Sequence, residues 1–198
     1  GPTQEPIDDV RYISNRSTGK MGFAIAKSAR NLGANVTLIT GPTNLKNIPE
    51  INMHHIKTAD EMLKAVNHNL NVDYIIMNAA VADFRPSNIN SGKIKKNNEK
   101  MNVELSPTTD ILKSIRPNTQ GKVIGFALEM NNGRDNALKK MNSKGLDFII
   151  LNTANNKDQG FDVDTNQVTI FSKSGTEIQS EIDTKSRIAD FIWENITD

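Results

Sequence analysis

Residues 74–83 read YIIMNAAVAD, an apolar run that ends in small residues and a single carboxylate. Its first four residues, 74–77, are apolar and bounded by small or polar residues, which is typical of a strand that is buried on both faces of a sheet. The same pattern recurs along the chain, at residues 36–39, 123–126 and 148–151. Helical periodicity fills the intervals between the runs, at about residues 22–32, 59–70, 109–116 and 133–144. The alternation predicts an α/β protein with a doubly wound, mostly parallel sheet and helices on both faces.

The last third of the chain has a different pattern. Two short apolar or β-branched runs, at residues 168–171 and 177–179, flank a turn at residues 173–176, which predicts a β-hairpin. A final amphipathic helix is expected from about Thr184, which would cap it, to Ile196. The side chains predicted to point inward from this helix are Ile188, Phe191, Ile192 and Ile196.

Composition limits the classes of protein to which the chain can belong. The 198 residues, with 36% apolar and 24% charged side chains, are typical of one folded domain. No run approaches the roughly 20 apolar residues that span a bilayer, so we expect no membrane segment and, by default, a cytoplasmic location. The formal net charge of +1 argues against a general nucleic-acid-binding surface. No cysteine is present, which excludes disulfides and thiolate metal sites.

The chain begins with Gly1-Pro2-Thr3, which resembles the turn that follows a strand. We therefore expect that the first strand of the sheet is absent from this chain, although Gly1-Pro2 is also compatible with a cloning remnant. Ligands of an open parallel sheet bind beyond the carboxyl ends of its strands, so this turn would lie at the ligand-binding edge.

A polar stretch from Phe84 to about residue 104 is too long for an ordinary connection in such a fold and predicts a flap. Its centre holds Lys93, Lys95 and Lys96, and Lys100 follows closely. A run of charges most often forms a solvated face, and that interpretation stays open. The alternative is that lysines on a mobile arm bind a triphosphate or stabilise a transferring phosphoryl group.

Other strand ends carry small or polar residues. Residues 14–22 combine hydroxyl groups, glycines and a helix start, which favours a bound anion, although an ordinary capped turn fits as well. This segment matches neither a Walker A loop nor the dinucleotide fingerprint G-x-G-x-x-G. Residues 78–80, Asn-Ala-Ala, either let a ligand approach the backbone or serve tight strand–helix packing. Asp83 either binds a ribose or base or caps a turn.

The remaining basic residues fall into two groups. Lys140 and Lys144 lie one turn apart on a predicted helix and share a face, which is either solvated or directed at a ligand. The three histidines have no carboxylate or histidine partner at metal-ligand spacing, so we predict no metal site made of protein side chains. They are His54, His55 and His68.

Taken in order, these segments resemble the ligase domain of the phosphopantothenoylcysteine synthetase family, which in many bacteria follows a flavin-dependent decarboxylase domain. The resemblance covers essentially the whole chain and is carried by residues 1–8, 10–17, 18–22, 78–83, 93–96 and 125–127. It implies a single, Rossmann-like ligase domain over residues 1–198, with a lysine-rich flap at about residues 84–104 and a C-terminal hairpin and helix. It also implies a homodimer and, in the full-length protein, an N-terminal decarboxylase domain that this chain lacks.

The reaction that the resemblance implies joins 4'-phosphopantothenate to cysteine in coenzyme A biosynthesis. The substrate carboxylate attacks the α-phosphate of CTP, which gives an acyl-cytidylate and pyrophosphate, and the cysteine amine then displaces CMP. Mg²⁺ is expected with the triphosphate.

By position in the family pattern, Asn15 matches the residue that handles the acyl intermediate. Lys93 matches the lysine that stabilises charge during activation. The positions that match nucleotide contacts are Ser17, Gly19, Ala79, Asp83, Lys95, Lys96, Thr109, Asp110, Ile111, Leu112, Phe126, Lys140 and Lys144. The chain departs from the pattern at a few positions, which we expect to affect the choice of nucleotide more than the reaction. These are Thr109 in place of proline, Leu128 and Met130 after Phe126, and Thr153 after Asn152.

Two other classes fit part of the sequence. An NAD(P)-dependent oxidoreductase of Rossmann type would suit the sheet and residues 78–80, but the glycine fingerprint and a Tyr-x-x-x-Lys pair are missing. A non-catalytic nucleotide-binding or dimerisation module would tolerate the departures from the family pattern. Pyrophosphate release that requires phosphopantothenate would separate the ligase from both.

Overall fold

The computed structural model describes residues 1–96, 100–129, 133–153 and 164–197. The α-helices of these ranges are α1 (Lys20–Asn31), α2 (Ala59–Asn67), α3 (Ile111–Ile115), α4 (Gly133–Lys144) and α5 (Lys185–Ile196). The strands are β1 (Gln4–Pro6), β2 (Tyr12–Ser14), β3 (Thr37–Thr40), β4 (Asn52–His55), β5 (Tyr74–Met77), β6 (Phe84–Pro86), β7 (Leu105–Pro107), β8 (Lys122–Glu129), β9 (Phe148–Thr153), β10 (Thr165–Asn166), β11 (Val168–Ser172), β12 (Glu177–Gln179) and β13 (Asp183–Thr184). A 3₁₀ turn, Arg116–Asn118, follows α3.

The central sheet has five strands in the order β12-β11-β9-β8-β5. β5, β8 and β9 run parallel, whereas β11 pairs antiparallel with both β9 and β12. A separate parallel pair consists of β3 and β4. The α/β class, the parallel strands and the C-terminal hairpin with its helix are therefore confirmed. The central sheet is mixed, because the hairpin adds β11 antiparallel to β9, and the predicted strand at residues 36–39 pairs with β4 instead of joining this sheet.

Helices cover both faces of the central sheet. Alternate residues of its strands point to opposite sides, so each strand contributes side chains to both layers. One face packs against α1 and α5, and the buried side chains there include Ile25, Ile124, Ile150, Ile188 and Ile192. The other face packs against α4, and its buried side chains include Val123, Ala137, Met141, Ile149 and Leu151. Since each central strand has an apolar environment on both sides, its sequence is a continuous apolar run. The doubly wound arrangement is thus confirmed.

The ends of the helices follow local signals in the sequence. At α2, Thr58 and Glu61 form a reciprocal capping box, in which each side chain accepts from the backbone N–H of the other. At α5, Thr184 caps the helix as predicted, and its hydroxyl accepts from the Arg187 N–H at 3.4 Å. Three of the predicted inward side chains of α5 are buried, whereas Phe191 is only partly buried.

Several short strands were not predicted, and two of their hairpins define the surroundings of the site. β1 pairs antiparallel with β2, and β6 pairs antiparallel with β7, so that Phe84 lies opposite Pro107. The stretch predicted as a flap therefore begins and ends in a β-ladder, extended by the Ser87 N–H, which donates to the Glu104 carbonyl at 2.9 Å. Residues 97–99 of that stretch lie outside the described residues.

The start of the chain lies against the ends of β3 and β5. Pro2 forms a parallel bridge with Ala80, and the Thr3 N–H donates to the Ala80 carbonyl at 3.3 Å. A Cβ atom at Gly41 would lie 1.7 Å from the Pro2 carbonyl oxygen, so this close approach requires glycine. β3 and β5 are both edge strands of their sheets. A further strand before Gly1 stays a prediction.

None of the helices in the described ranges is long and apolar enough to cross a membrane.

Candidate functional site

Asn15 joins two of the loops at the carboxyl edge of the sheet. Its side-chain amide donates to the carbonyl oxygens of Ala80 and Val81, at 3.3 and 3.0 Å. Asn15 follows β2, and the two carbonyl groups belong to the segment after β5. One exposed side chain thus fixes the loop before α1 against the strand end where a ligand of such a sheet would bind.

The start of α1 lies beside the same strand end. Gly19 is the N-cap residue, has a φ of 77° and provides no side-chain acceptor for the first turn. A Cβ atom at Gly22 would lie 3.6 Å from the side-chain nitrogen of Asn78, so the helix start and the strand end are close together. Unsatisfied N–H groups at a helix N-terminus favour an anion. The sequence-based expectation of an anion at residues 14–22 is compatible with this geometry.

The hydroxyl groups of two threonines hold the segment after β5 in place. Thr3 is fully buried, and its hydroxyl accepts from the Ala82 N–H at 3.0 Å. The hydroxyl of Thr108 donates to the Ala82 carbonyl at 2.7 Å, and the Thr108 N–H donates to the Asp83 carbonyl at 2.9 Å. The side chain of Asp83 remains exposed. A backbone held from both sides suits a surface that a ligand contacts directly.

Lys140 and Lys144 form a basic pair on the side of α4 that faces β8 and α3. The Lys140 Nζ donates to the Phe126 carbonyl at 2.7 Å. The Lys144 Nζ lies 2.9 Å from a carboxylate oxygen of Asp110, which caps α3 by accepting from the Lys113 N–H at 3.1 Å. The face that the two lysines share is therefore directed at β8 and at the start of α3.

The environment of this pair affects its ionisation. Burial, and to a smaller extent the neighbouring charge of Lys144, lowers the pKa of Lys140. Burial acts to raise the pKa of Asp110, but the hydrogen bonds from Lys144 and from the Lys113 N–H outweigh it and hold that pKa below its ordinary value. Lys140 thus lies among charges of both signs, with Asp110, Asp83 and Glu129 near it as well as Lys144.

The polar stretch between β6 and β7 carries three lysines of the predicted site. Lys93, Lys95 and Lys96 are exposed. A cleft of about 720 Å³ lies beside the stretch, and its lining includes Arg11, Ile94, Lys95, Lys96 and Lys100. Arg11 belongs to the connection between β1 and β2, so the hairpin that carries Asn15 also borders this cleft.

The other predicted contact positions differ in accessibility. Ser17 and Ala79 are half-buried at the strand-end loops, and Thr109 is exposed. The side chains of Ile111 and Leu112 are buried in the core, so any contact that they make with a ligand would come from their backbone. Leu128, at a departure from the family pattern, is exposed on β8. Met130 and the side chain of Thr153 lie outside the described residues.

Sequence reasoning missed three residues that organise the site. Thr3 and Thr108 support the strand end, and Asp8 is a fully buried carboxylate in the β1–β2 turn. Only the spacing of Asp8 and Arg11, which suits an ion pair within a turn, was visible in the sequence. The two threonines gave no signal because their partners are distant along the chain.

Fold and site together define a doubly wound α/β protein with a polar site, which includes Asn15 and Lys140, at the carboxyl edge of its sheet. The chain belongs to the family described as "DNA/pantothenate metabolism flavoprotein C-terminal domain", whose match covers residues 1–198. This match confirms the family resemblance that the sequence segments indicated.

Named relatives and a solved structure agree with this assignment. The chain is 41% identical over 194 residues to a "Cysteine/Cysteine sulfinic acid decarboxylase" of an unknown prokaryotic organism, covering 96% of this chain and 54% of the relative. It is also 41% identical over 188 residues to the "Coenzyme A biosynthesis bifunctional protein CoaBC" of Escherichia coli strain K12, covering 90% of this chain and 45% of the relative. The crystal structure of the C-terminal domain of a protein with that second name is 37% identical, with a TM-score of 0.83, and the match covers 99% of this chain and 90% of that domain.

The chain spans about half the length of the two named relatives. The activities in those names therefore refer to longer proteins.

Proposed function

We propose that this chain is a single ligase domain that joins 4'-phosphopantothenate to cysteine in coenzyme A biosynthesis. In the proposed reaction the substrate carboxylate attacks the α-phosphate of CTP, so that an acyl-cytidylate forms and pyrophosphate leaves. The amine of cysteine then attacks the acyl carbon, forms the amide bond and displaces CMP. The family membership and the relative named for coenzyme A biosynthesis support this proposal.

The position of Asn15 is the single observation that carries the proposal. Its amide spans the loop before α1 and the segment after β5, which are two of the places where the sequence allowed a ligand. An acyl-phosphate anhydride is reactive towards water, so an intermediate of this kind has to be held by fixed polar groups. Asn15 meets that requirement because its side chain is held by hydrogen bonds to the backbone carbonyls of Ala80 and Val81.

The lysines account for the electrostatic part of the proposed reaction. Negative charge grows on the α-phosphate and on the departing pyrophosphate during activation, and positioned cations stabilise it. Lys140 and Lys144 stand beside the carboxyl end of β8 and are proposed to bind the nucleotide phosphates. Lys93, with Lys95 and Lys96, is proposed to act from the polar stretch during activation.

Mg²⁺ is proposed to accompany the nucleotide. The ion usually reaches such sites through substrate phosphates and retains several waters. In the described ranges no group of three or more His, Asp or Glu side chains is placed to hold a metal ion, so the triphosphate itself would supply most of the ligands.

Further parts of the proposal concern the whole protein. A homodimer, a cytoplasmic location and an additional decarboxylase domain in a full-length protein are proposed by analogy with the family. The preference for CTP over ATP is also proposed, and Leu128 is the described departure nearest to Phe126 that would influence it.

The Asn15→Asp variant tests the proposed role of Asn15. Aspartate has no side-chain donor for the two carbonyl groups and would place a negative charge beside them. We expect pyrophosphate release to stay within about threefold of the unsubstituted protein, whereas formation of phosphopantothenoylcysteine falls by at least about tenfold. Both products are measured in one reaction, by a coupled pyrophosphate assay and by mass spectrometry.

Asn118→Asp is the matched control, because Asn118 also donates its side-chain amide to a backbone carbonyl, that of Ser114 at 3.2 Å, and is exposed. Its product yields should stay normal. Normal and equal yields of pyrophosphate and of the final product in Asn15→Asp would contradict the role of Asn15.

A further inference from the structure

The turn between β1 and β2 contains a carboxylate that is fully buried. The side chain of Asp8 has no exposed surface, and its Oδ1 accepts from the N–H groups of Val10 and Arg11, at 2.9 and 2.7 Å. Its Oδ2 forms a two-point ion pair with the guanidinium group of Arg11, in which the Nε distance is 3.0 Å. Arg11 holds the pKa of Asp8 well below its ordinary value, so the carboxylate is ionised at neutral pH.

The same ion pair binds the backbone of the polar stretch at Ile94 through two hydrogen bonds. The Ile94 N–H donates to the Asp8 Oδ2 at 3.0 Å, and the Ile94 carbonyl accepts from the Arg11 Nη2 at 2.8 Å. Both backbone polar groups of one residue are therefore held by one carboxylate–guanidinium pair. Charge-assisted hydrogen bonds of this kind are stronger than those between neutral groups.

Two further backbone contacts fix the approach to Ile94. The Asn90 N–H donates to the Ile7 carbonyl at 3.0 Å, and the Gly92 N–H donates to a carboxylate oxygen of Asp9 at 3.0 Å. The stretch is thus held at alternate residues, 90, 92 and 94, by the turn of a separate hairpin. Such spacing defines the path of the backbone on both sides of Lys93.

This attachment connects the two groups of proposed site residues. Lys93 lies between Gly92 and Ile94, whose backbone N–H groups both donate to carboxylates of the β1–β2 turn. This turn connects β1 to β2, and Asn15 directly follows β2. The backbone beside Lys93 and the residue Asn15 are consequently both attached to the β1–β2 hairpin.

We propose that Asp8 is a positioning residue, which fixes Lys93 relative to Asn15 by binding the Ile94 backbone together with Arg11. The inference rests on the proposed function for its catalytic consequence, but the attachment itself does not depend on any reaction. Misplacing a catalytic group by about 1 Å can lower a rate by about 100-fold, so a contact of this kind has a measurable effect.

The first measurement is independent of activity. In Asp8→Asn the side chain keeps its size but loses the charge and one carboxylate oxygen, so it cannot serve Arg11 and Ile94 as before. We expect amide hydrogen exchange at Gly92 and Ile94 to become at least about tenfold faster, whereas exchange in β8 and β9 stays unchanged. Unchanged exchange at Ile94 would overturn the proposed attachment.

Kinetics in Asp8→Asn and Lys93→Gln, alone and combined, test the catalytic consequence. We expect Asp8→Asn to lower kcat for phosphopantothenate-dependent pyrophosphate release by about 10- to 100-fold, with KM for the nucleotide within about threefold. If Asp8 acts through Lys93, Asp8→Asn should have little further effect in the Lys93→Gln background. Multiplicative effects of the two changes would overturn the positioning role and indicate a general structural one.

Glu177→Gln is the matched control, because Glu177 accepts two hydrogen bonds from Arg134, at 3.0 and 2.9 Å, on β12 at the far edge of the sheet. The variant removes a carboxylate from a two-point arginine pair. Its amide hydrogen exchange at Ile94 and its kcat should equal those of the unsubstituted protein. If Asp8→Asn does not fold, Arg11→Lys replaces it, because lysine keeps the charge but cannot bridge Asp8 and Ile94 with a forked group.

The outcomes separate the attachment from the proposed function. If the unsubstituted protein releases no pyrophosphate while Asp8→Asn still accelerates exchange at Ile94, the ligase function fails and the attachment stands. If the protein is active but exchange at Ile94 and kcat are unaffected by Asp8→Asn, the positioning role of Asp8 fails and the ligase function stands.

Discussion

At the scale of single residues, the site depends on polar groups whose partners belong to the backbone. Asn15 donates to Ala80 and Val81, and Lys140 donates to Phe126. A side chain held in this way is already oriented before a ligand binds, so less conformational entropy is lost on binding. Lys140 combines this orientation with burial, which lowers its pKa without removing its charge-assisted hydrogen bond. It is therefore the lysine of α4 whose removal should matter most.

Lys140→Met should weaken nucleotide binding, because methionine fills the half-buried space but provides no cation. Hydrogen bonds to charged groups contribute about 1.5–3 kcal/mol, which corresponds to a KM for CTP about 10- to 100-fold higher. Steady-state pyrophosphate release over a range of CTP concentrations measures this effect. Lys139→Met is the control, because Lys139 is its exposed neighbour on α4, and its KM should stay within about twofold. Equal KM values for the two variants would contradict the role of Lys140.

At the scale of secondary-structure elements, the long parallel strands and the helices were predictable, whereas the short hairpins were not. β5 was predicted to the residue, because an apolar run with buried surroundings on both faces is a strong local signal. β1, β2, β6 and β7 have three residues each, every one of them contains a polar residue and three contain a proline, so they carry no such signal. β4, Asn52–His55, is mostly exposed and was missed for the same reason.

The site was predictable to a similar extent. Helical spacing alone showed that Lys140 and Lys144 share a face, and the structure confirms this and adds their partners, Phe126 and Asp110. The attachment of Ile94 to Asp8 was not predictable, because it joins positions 86 residues apart along the chain. A buried carboxylate in a turn also has no compositional signature. Contacts of this kind follow only from the packing of one hairpin on another segment.

The attachment of the β1–β2 turn should make stability depend on pH. The hydrogen bond from Arg11, assisted by the backbone N–H groups of Ile94, Val10 and Arg11, lowers the folded-state pKa of Asp8 against the effect of burial. An unfolded aspartate takes up a proton near pH 4, whereas folded Asp8 stays ionised to lower pH. The stabilisation by Asp8 is therefore fully present above about pH 4–5 and is lost progressively as the pH falls below that value.

Urea unfolding of the unsubstituted protein and of Asp8→Asn, at pH 7 and at pH 3, measures this dependence. The difference in free energy of unfolding between the two proteins should be largest at pH 7 and smaller at pH 3. The exposed pair Arg134–Glu177 provides the control, since Glu177→Gln should show only a small difference at pH 7. A difference for Asp8→Asn that grows towards pH 3 would contradict the assigned ionisation.

At the scale of the whole molecule, the two hairpins present apolar side chains to solvent. Val10 and Tyr12 are more than half exposed, as is Phe84, and Leu105 is 44% exposed. The hairpins lie together, because β1 packs against β6. Exposed apolar side chains on adjacent hairpins are typical of a protein–protein interface. A second copy of the chain is the partner that the family resemblance implies.

Replacing Tyr12 and Phe84 together by serine should therefore favour the monomer. We expect the unsubstituted protein to sediment as a dimer at micromolar concentration and the double variant to dissociate at concentrations at least about tenfold higher. Leu32→Ser is the control, because Leu32 is 69% exposed but lies at the end of α1. A monomeric unsubstituted protein would contradict the proposed homodimer, and an undiminished dimer in the double variant would contradict this interface.

The most direct test of the proposed ligase is the dependence of pyrophosphate release on phosphopantothenate. The protein is incubated with Mg²⁺, cysteine and either CTP or ATP, with and without 4'-phosphopantothenate, and Lys93→Gln is measured beside it. We expect release only when phosphopantothenate is present, faster release with CTP, and a loss of at least about 100-fold in Lys93→Gln. Absence of release with either nucleotide, or release that does not require phosphopantothenate, would contradict it.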